Sequence, residues 1–276
     1  MDDKRVFIYH AECADGFGAA WAAWKRFGDS ATYLPVFNRT HPPAQIESAH
    51  VYTLDYSYSP EDIAANISKA KSWTIIDHHV TNGPAIRLAT DSLYDLSHSG
   101  SVLSWNYFHP GTTVPTLLRY IEDIDLWNDK LPNSRDISKA IGQRKMEFAA
   151  WDVMAAELED PEKFKRYREE GEIIRKLATQ EVEKIAKNAE EILFEGHRTL
   201  MVNSPVHVSE LGAYLYRKLP PMSIIWSRRG DQVIVSLRSD GSVDVSKIAQ
   251  KYGGGGHPAA SGFSWTEKEF LEFKNQ

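Results

Sequence analysis

The sequence predicts an α/β chain, in which an N-terminal domain built on a parallel sheet is joined by a helical connector to a smaller mixed α/β domain. Short apolar runs alternate with helical patterns through the first half, the signature of parallel strands with helices on both faces. From Asp160 to Glu195 the chain turns strongly charged but keeps apolar residues near helical spacing. Beyond that stretch it is rich in short strand patterns and carries a run of glycines. The corresponding boundaries are 1–158 for the first domain, 159–195 for the connector and 196–276 for the second domain.

In the first domain, Val6-Phe7-Ile8-Tyr9 reads as a buried strand ending at His10, and Gly16 to Phe27, rich in Ala and Trp, as a packed helix. Further strands are expected at Thr32–Phe37, Val51–Asp55 and Trp73–Asp77. Ser59-Pro60-Glu61-Asp62 is a helix start, with a capping serine, proline at the first helical position and acids in the first turn. Ser99-Gly100-Ser101 is expected to cap another helix. In the connector, Phe164, Tyr167, Ile174, Leu177, Val182, Ile185, Ala189 and Leu193 mark an amphipathic helix, with a break expected near Gly171. In the second domain, Thr199–Asn203 is a strand, Ser223–Ser227 and Gln232–Arg238 form a hairpin, and Val243–Tyr252 is a helix leading into Gly253-Gly254-Gly255-Gly256-His257-Pro258. Of the eight tryptophans, Trp21, Trp24, Trp73, Trp105, Trp127 and Trp151 mostly lie in apolar surroundings and are expected in the core.

The chain has 276 residues, 42% hydrophobic and 25% charged, with a formal net charge of -6. That balance gives no global field for long polyanions, so a nucleotide would have to be held by a local basic pocket, and a long duplex is not an expected partner. With one cysteine, Cys13, an intramolecular disulfide is impossible and a cytoplasmic location is the simpler expectation. No apolar run approaches the roughly 18 residues of a membrane span, and no membrane partner is expected.

Acidic and histidine residues cluster at strand ends and in short polar stretches: His10 with Asp15, then Asp55, then Asp77-His78-His79, then Asp123 with Asp125. Ligands bind at the carboxyl ends of the strands of such sheets. Any one of these residues alone would be a cap or a loop residue. Together, carboxylates and imidazoles converging on one sheet edge suit a pair of divalent ions, because manganese and similar metals accept both ligand types. The glycine run lets backbone amides approach an anion closely, and Arg238, at a strand end, suits a phosphate.

Ile75-Ile76-Asp77-His78-His79 resembles the signature of the DHH phosphoesterases. His10-Ala11-Glu12-Cys13-Ala14-Asp15-Gly16 is similar to that family's first motif, Leu54-Asp55 to its second and Glu122-Asp123-Ile124-Asp125-Leu126-Trp127 to its fourth. Gly253 to His257 with Ala259-Ala260-Ser261-Gly262 resembles the glycine-rich motif of the DHH-associated C-terminal domain. The resemblance implies a phosphodiesterase with two divalent ions, foremost Mn²⁺, that uses water to cleave short oligoribonucleotides, linear or cyclic dinucleotides, or phosphoadenosine phosphate. It implies His10 and Asp55 on one metal, and Asp15, Asp55, His78 and Asp123 on the other, with Asp55 bridging. His79 would face the scissile phosphate, with Asp77 orienting the histidines. Arg238, Gly254, Gly255, Gly256 and His257 would hold substrate.

The first motif departs from the family pattern, since Cys13 stands where many members carry an earlier aspartate, one residue nearer Asp15. Cys13 is then either a soft ligand or a small buried side chain beside the site, and Glu12 is the other residue that could fill the gap. Asp125 is an alternative to Asp123, which is favoured. Two other functions stay open, a pyrophosphatase- or polyphosphatase-like hydrolase of phosphoanhydrides and a nucleotide-binding module without hydrolysis. A homodimer also stays open.

Overall fold

The computed structural model describes residues 3–37 and 41–274. The chain divides into two units, 1–175 and 176–276.

In the first unit the elements run β1 (Arg5–His10), α1 (Ala14–Phe27), β2 (Thr32–Val36), β3 (His50–Leu54), α2 (Pro60–Asn66), β4 (Ser72–Asp77), α3 (Gly83–Ile86), β5 (Asp91–Tyr94), α4 (Gly100–Phe108), α5 (Thr116–Asp125), α6 (Ser134–Ile141) and α7 (Phe148–Leu158), followed by α8 (Pro161–Ile185), which crosses into the second unit. The five strands form one parallel sheet in the order β2-β1-β3-β4-β5. Side chains alternate across a strand, and both faces of this sheet are apolar. Phe7, Tyr9, Leu54 and Ile76 pack with α1, α4, α5 and α7 on one side, while Val6, Ile8, Val51, Trp73 and Ile75 pack with Ile63 of α2 on the other. That is why these strands read as continuous apolar runs. Ser59 caps α2 as expected, its hydroxyl accepting from the Asp62 amide at 3.1 Å. β5 has exposed and half-buried residues throughout, and so carries no apolar run to mark it in the sequence.

The second unit holds β6 (Glu190–Phe194), β7 (His197–Asn203), α9 (Val208–Lys218), β8 (Met222–Arg229), β9 (Gln232–Ser239), α10 (Val245–Lys251), β10 (Gly255–His257), β11 (Ala260–Thr266) and α11 (Glu267–Lys274). Its six strands form a mixed sheet ordered β10-β11-β9-β8-β7-β6, parallel only between β7 and β8. Val233, Val235 and Leu237 pack with Val245, Ile248 and Phe270 on one face, and Val202 and Ile225 pack with Leu211 and Leu215 of α9 on the other.

Two expectations for the charged stretch are corrected. The helix stops at Ile185, and Leu193 lies in β6, where it is 69% exposed. Its apparent helical spacing is a coincidence of a short edge strand. Nor does α8 break at Gly171. A Cβ there would sit 1.7 Å from the Asp136 carbonyl oxygen, so the glycine lets α8 lie directly on the start of α6. Beside that contact Arg175 pairs with Asp136. Gly171→Ala should therefore destabilise the first unit by about 3 kcal/mol or more, because backbone rather than a yielding side chain opposes the methyl group. Urea unfolding monitored by tryptophan fluorescence checks this, and an unchanged midpoint would mean the two helices separate at no cost.

Candidate metal centre

His10 ends β1, Asp55 follows β3 and Asp77 ends β4, so three neighbouring parallel strands deliver their chemistry to one edge. Asp55 is held at φ 53°, a left-handed conformation that aspartate tolerates better than most residues. It turns the chain as it leaves β3 and leaves the carboxylate among the other acids.

One set of ligand atoms, from His10, Cys13 and Asp55, lies mutually within 4.8 Å, and a second set, from Asp15, Asp55 and His78, does the same. Asp55 belongs to both. His10 Nδ1 is 3.5 Å from Asp55 Oδ2, and His78 Nε2 is 3.2 Å from Asp55 Oδ1, 3.7 Å from Asp15 Oδ2 and 3.5 Å from Asp125 Oδ2. The structure thus brings His10, Asp15, Asp55 and His78 together.

It does not bring Asp123 to them, contrary to the favoured expectation. The Asp123 carboxylate accepts from the amides of Lys130 and Leu131 at 3.0 and 3.2 Å and closes the turn after α5. Asp125 faces the cluster instead. Two residues apart on a helix is about 200°, so the two aspartates cannot share a face. At the first motif, Glu12 is exposed while the half-buried Cys13 lies beside His10 and Asp55.

Asp15 is fixed by the start of α4, where the amides of Gly100 and Ser101 donate to its two oxygens at 2.7 and 3.0 Å. A helix N-terminus favours a carboxylate there. A Cβ on Gly100 would lie 2.6 Å from Asp55 Cβ and 3.0 Å from Asp15 Oδ2, so this glycine is a site residue that capping logic missed. Glu122 supports the same turn, accepting from the Ser99 amide at 2.9 Å and facing His98 Nδ1 at 3.0 Å. Asp77, fully buried, accepts from the amides of His78 and His79, lies 2.7 Å from His79 Nδ1 and accepts from Asn82 Nδ2. Its carboxylate thus lies against the His79 ring and the amides on either side of the His78 position.

Electrostatics follow from crowding. Burial, then the charges of Asp55 and Asp125, push the Asp15 carboxyl well above its ordinary range. Burial and Asp55 push Asp125 up to about 6. Burial alone would raise Asp55 too, but hydrogen bonding with His10 and His78 outweighs it and holds this carboxyl below the usual range. Burial opposes charge on His79, yet its bond to Asp77 and the neighbouring acids raise it to about 10. Burial and the nearby carboxylates raise the Cys13 thiol. Asp125 Oδ2 is a buried oxygen without a hydrogen-bond partner, and Asp55 Oδ1 is answered by the imidazole of His78 at 3.2 Å. Three carboxylates, two imidazoles and an orphaned buried oxygen form a donor set that fits hard divalent cations.

In the second unit, Arg238 on β9 is in register with Ala260 on β11, which is in register with His257 on β10. Residues paired in register face the same side of a sheet, so Arg238 and His257 flank the small Ala260 in one row. Gly212 of α9 makes room for the arginine, since a Cβ there would lie 2.3 Å from Arg238 Cγ. The guanidinium donates to Leu237 O and Ser209 Oγ, and its buried Nε has no hydrogen-bond partner. Burial lowers its pKa. The glycine run is only partly a loop. The Gly253 and Gly254 amides close the end of α10 on Gln250 O and Ala249 O, and Gly255–His257 is an edge strand. A Cβ on Gly254 would meet Gly262 O at 2.1 Å.

Residues 205–276 match the DHHA1 domain model. The full chain superposes on exonuclease RecJ bound to manganese with a TM-score of 0.52, covering 99% of this chain and 88% of that one at 13% identity. The C-terminal quarter of the chain therefore matches a DHHA1 domain, and the fold is one that the chain shares with RecJ. The chain is also similar in fold to the pGpG-specific phosphodiesterase PggH from Vibrio cholerae, with a TM-score of 0.50 at 12% identity over 99% of this chain and 97% of that one. In sequence it is 28% identical over 293 residues to the uncharacterized protein R106 of Acanthamoeba polyphaga mimivirus, covering 96% of this chain and 68% of that protein.

Two measurements check this centre. Asp125 is raised from 3.8 to about 6, so across that window the folded metal-free protein binds a proton that the unfolded chain has lost, and stability falls as pH rises. His79 is raised from 6.5 to about 10, so its stabilisation is complete below 6.5 and is lost as pH rises towards 10. Both act in one direction. Thermal melts in chelator should decline from mildly acidic to alkaline pH, and Mn²⁺ should flatten or reverse the decline, because its ligands must be deprotonated. Melting curves that stay parallel with and without Mn²⁺ would remove the ion from this cluster. Gly100→Ala should keep the fold but displace Asp55 and Asp15, weakening Mn²⁺ binding by isothermal titration at least 10-fold, in line with losses on disturbing the groups that orient metal ligands. Unchanged affinity would show that the glycine is not required.

Proposed function

We propose that this protein hydrolyses phosphodiester bonds in short nucleotide substrates using two divalent ions, foremost Mn²⁺. The observation that carries the reading is Asp55, a single carboxylate shared by two adjoining sets of ligand atoms. We assign His10, Cys13 and Asp55 to one ion, and Asp15, Asp55, His78 and Asp125 to the other. When bound, such a pair of ions activates water and offsets the charge that develops on phosphorus.

The chain's own residues then do the following. Asp55, held below the usual carboxylate range, stays anionic and keeps both ligand sets in one geometry. Asp15 is fixed by the α4 amides and so presents its oxygens without rearrangement. His79, oriented by Asp77 and raised to about 10, is a cation at neutral pH suited to hold a phosphate oxygen. Arg238 and His257, flanking Ala260, with Gly254, Gly255 and Gly256 leading through the edge strand β10, are read as the holder of a further phosphate or base. The DHHA1 match over 205–276 supports that reading, as does the likeness in fold to an exonuclease and to a pGpG phosphodiesterase. The net charge of -6 favours a short substrate over a long one.

The test is a substrate panel with Mn²⁺ and product analysis by mass, covering a ribodinucleotide, a cyclic dinucleotide, phosphoadenosine phosphate and pyrophosphate. Nucleotide diester cleavage is expected, with Asp55→Ala lowering turnover by at least 10³-fold, since neither ligand set survives its loss. Pyrophosphate cleavage alone would make the protein a phosphoanhydride hydrolase. Tight binding without turnover across Mn²⁺, Co²⁺ and Mg²⁺ would make it a binding module.

A further inference from the structure

Seven of the eight tryptophans are structural. Trp21 stacks on Trp105, Trp24 on Phe148, Trp73 meets Tyr58 edge-on, Trp151 meets Phe17, Trp226 lies against Phe270, and Trp265 against Tyr252 and Phe263. Trp127 is different, and its expected place in the core is not where the chain puts it. It is 50% exposed, and among the described residues its indole has no ring, cation–π or hydrogen-bonding partner. An indole left in water carries a large apolar area with nothing to cover it.

The backbone beneath it is the opposite of loose. Trp127 sits at φ 55°, and Asp129 at φ 50°. A bulky residue in the left-handed region is a true outlier, held only where its surroundings over-determine it. Asp123 supplies that determination. Its carbonyl accepts from the Asn128 and Asp129 amides, and its carboxylate from those of Lys130 and Leu131. Asp129 is in turn clamped by both ends of the Arg135 guanidinium. The aspartate that failed to reach the metal cluster therefore builds the turn that presents the tryptophan.

The position is specific as well. Trp127 follows Asp125 by two residues, so their Cα atoms are within about 7.6 Å, while Asp125 Oδ2 is 3.5 Å from His78 Nε2. Val80, directly after His79, is 52% exposed. An exposed aromatic side chain and an exposed apolar one thus leave the backbone within two residues and one residue of Asp125 and His79.

We propose that Trp127 is a stacking platform for the nucleobase attached to the scissile phosphate. This inference rests on the phosphodiesterase reading above and deepens it. It makes the substrate class base-bearing nucleotide diesters and disfavours phosphates that carry no base. Asp123 is the positioning residue of that platform.

The test compares full-length parent, Trp127→Ala and Trp127→Phe, each with Mn²⁺ and each shown to melt like the parent. The substrates are a ribodinucleotide and the same diester with both bases removed. Trp127→Ala should lose roughly 10- to 100-fold in kcat/KM on the dinucleotide, chiefly in KM, as expected for one base–aromatic stack. It should match the parent on the abasic diester, and Trp127→Phe should recover most of the loss. Parent-like kinetics of Trp127→Ala on the dinucleotide, or equal losses on both substrates, overturns the platform while leaving the phosphodiesterase reading intact. If the parent cleaves neither diester, the phosphodiesterase reading fails by itself. Equilibrium binding of a phosphorothioate dinucleotide to parent and Trp127→Ala then decides the stacking: a 10-fold or larger difference supports it, and equal affinity overturns it.

Discussion

Mutual repulsion among buried carboxylates is the constraint around which the first unit is organised. Asp15, Asp55 and Asp125 converge with His78 inside a few ångströms, and each charge removed from water there is unfavourable unless something answers it. The fold answers in part, with the α4 amides on Asp15 and the histidines on Asp55. What is left unanswered, the buried Asp125 oxygen and the carboxyl groups pushed upward, is the electrostatic form of a cation site. A core filled on both sheet faces by Phe7, Trp21, Trp73 and Trp151 supplies the stability against which this crowding is held.

Local backbone choices at the sheet edge serve that convergence. Asp55 adopts a left-handed conformation as it leaves β3. Gly16 lets α1 start against His10, where a Cβ would lie 2.3 Å from the His10 carbonyl oxygen. Gly100 lets α4 start against Asp55 and Asp15. In each case the chain gives up side-chain volume or backbone comfort so that polar groups from separate strands can meet. The same logic recurs in the second unit, where Gly212 yields space to Arg238. Strand ends and helix starts hold His10, Asp15 and Asp77, while Asp55, His78 and His79 stand in the first positions after β3 and β4.

Much of this was legible in the residues alone. The parallel strands were readable because both faces of the sheet are buried, which turns each strand into an apolar run. His10, Asp55 and Asp77 were readable because they end those runs. β5 was not legible, since its residues are exposed or half-buried, and β6 mimicked a helix because two acids followed by three apolar residues show no apolar alternation. Cys13 could be separated from Glu12 only by seeing which one faces inward.

Sequence by itself determined the acidic and histidine residues at the strand ends, their order along the chain and the α/β class, because residue identity and hydrophobic period are local properties that survive without coordinates. Tertiary structure decided which of two aspartates on α5 reaches the cluster, that Gly171 is a contact rather than a break, and that Trp127 stands in solvent rather than in the core. Each of these depends on which side of an element meets a neighbour from far along the chain, and a one-dimensional pattern carries the period of a face but not what lies against it.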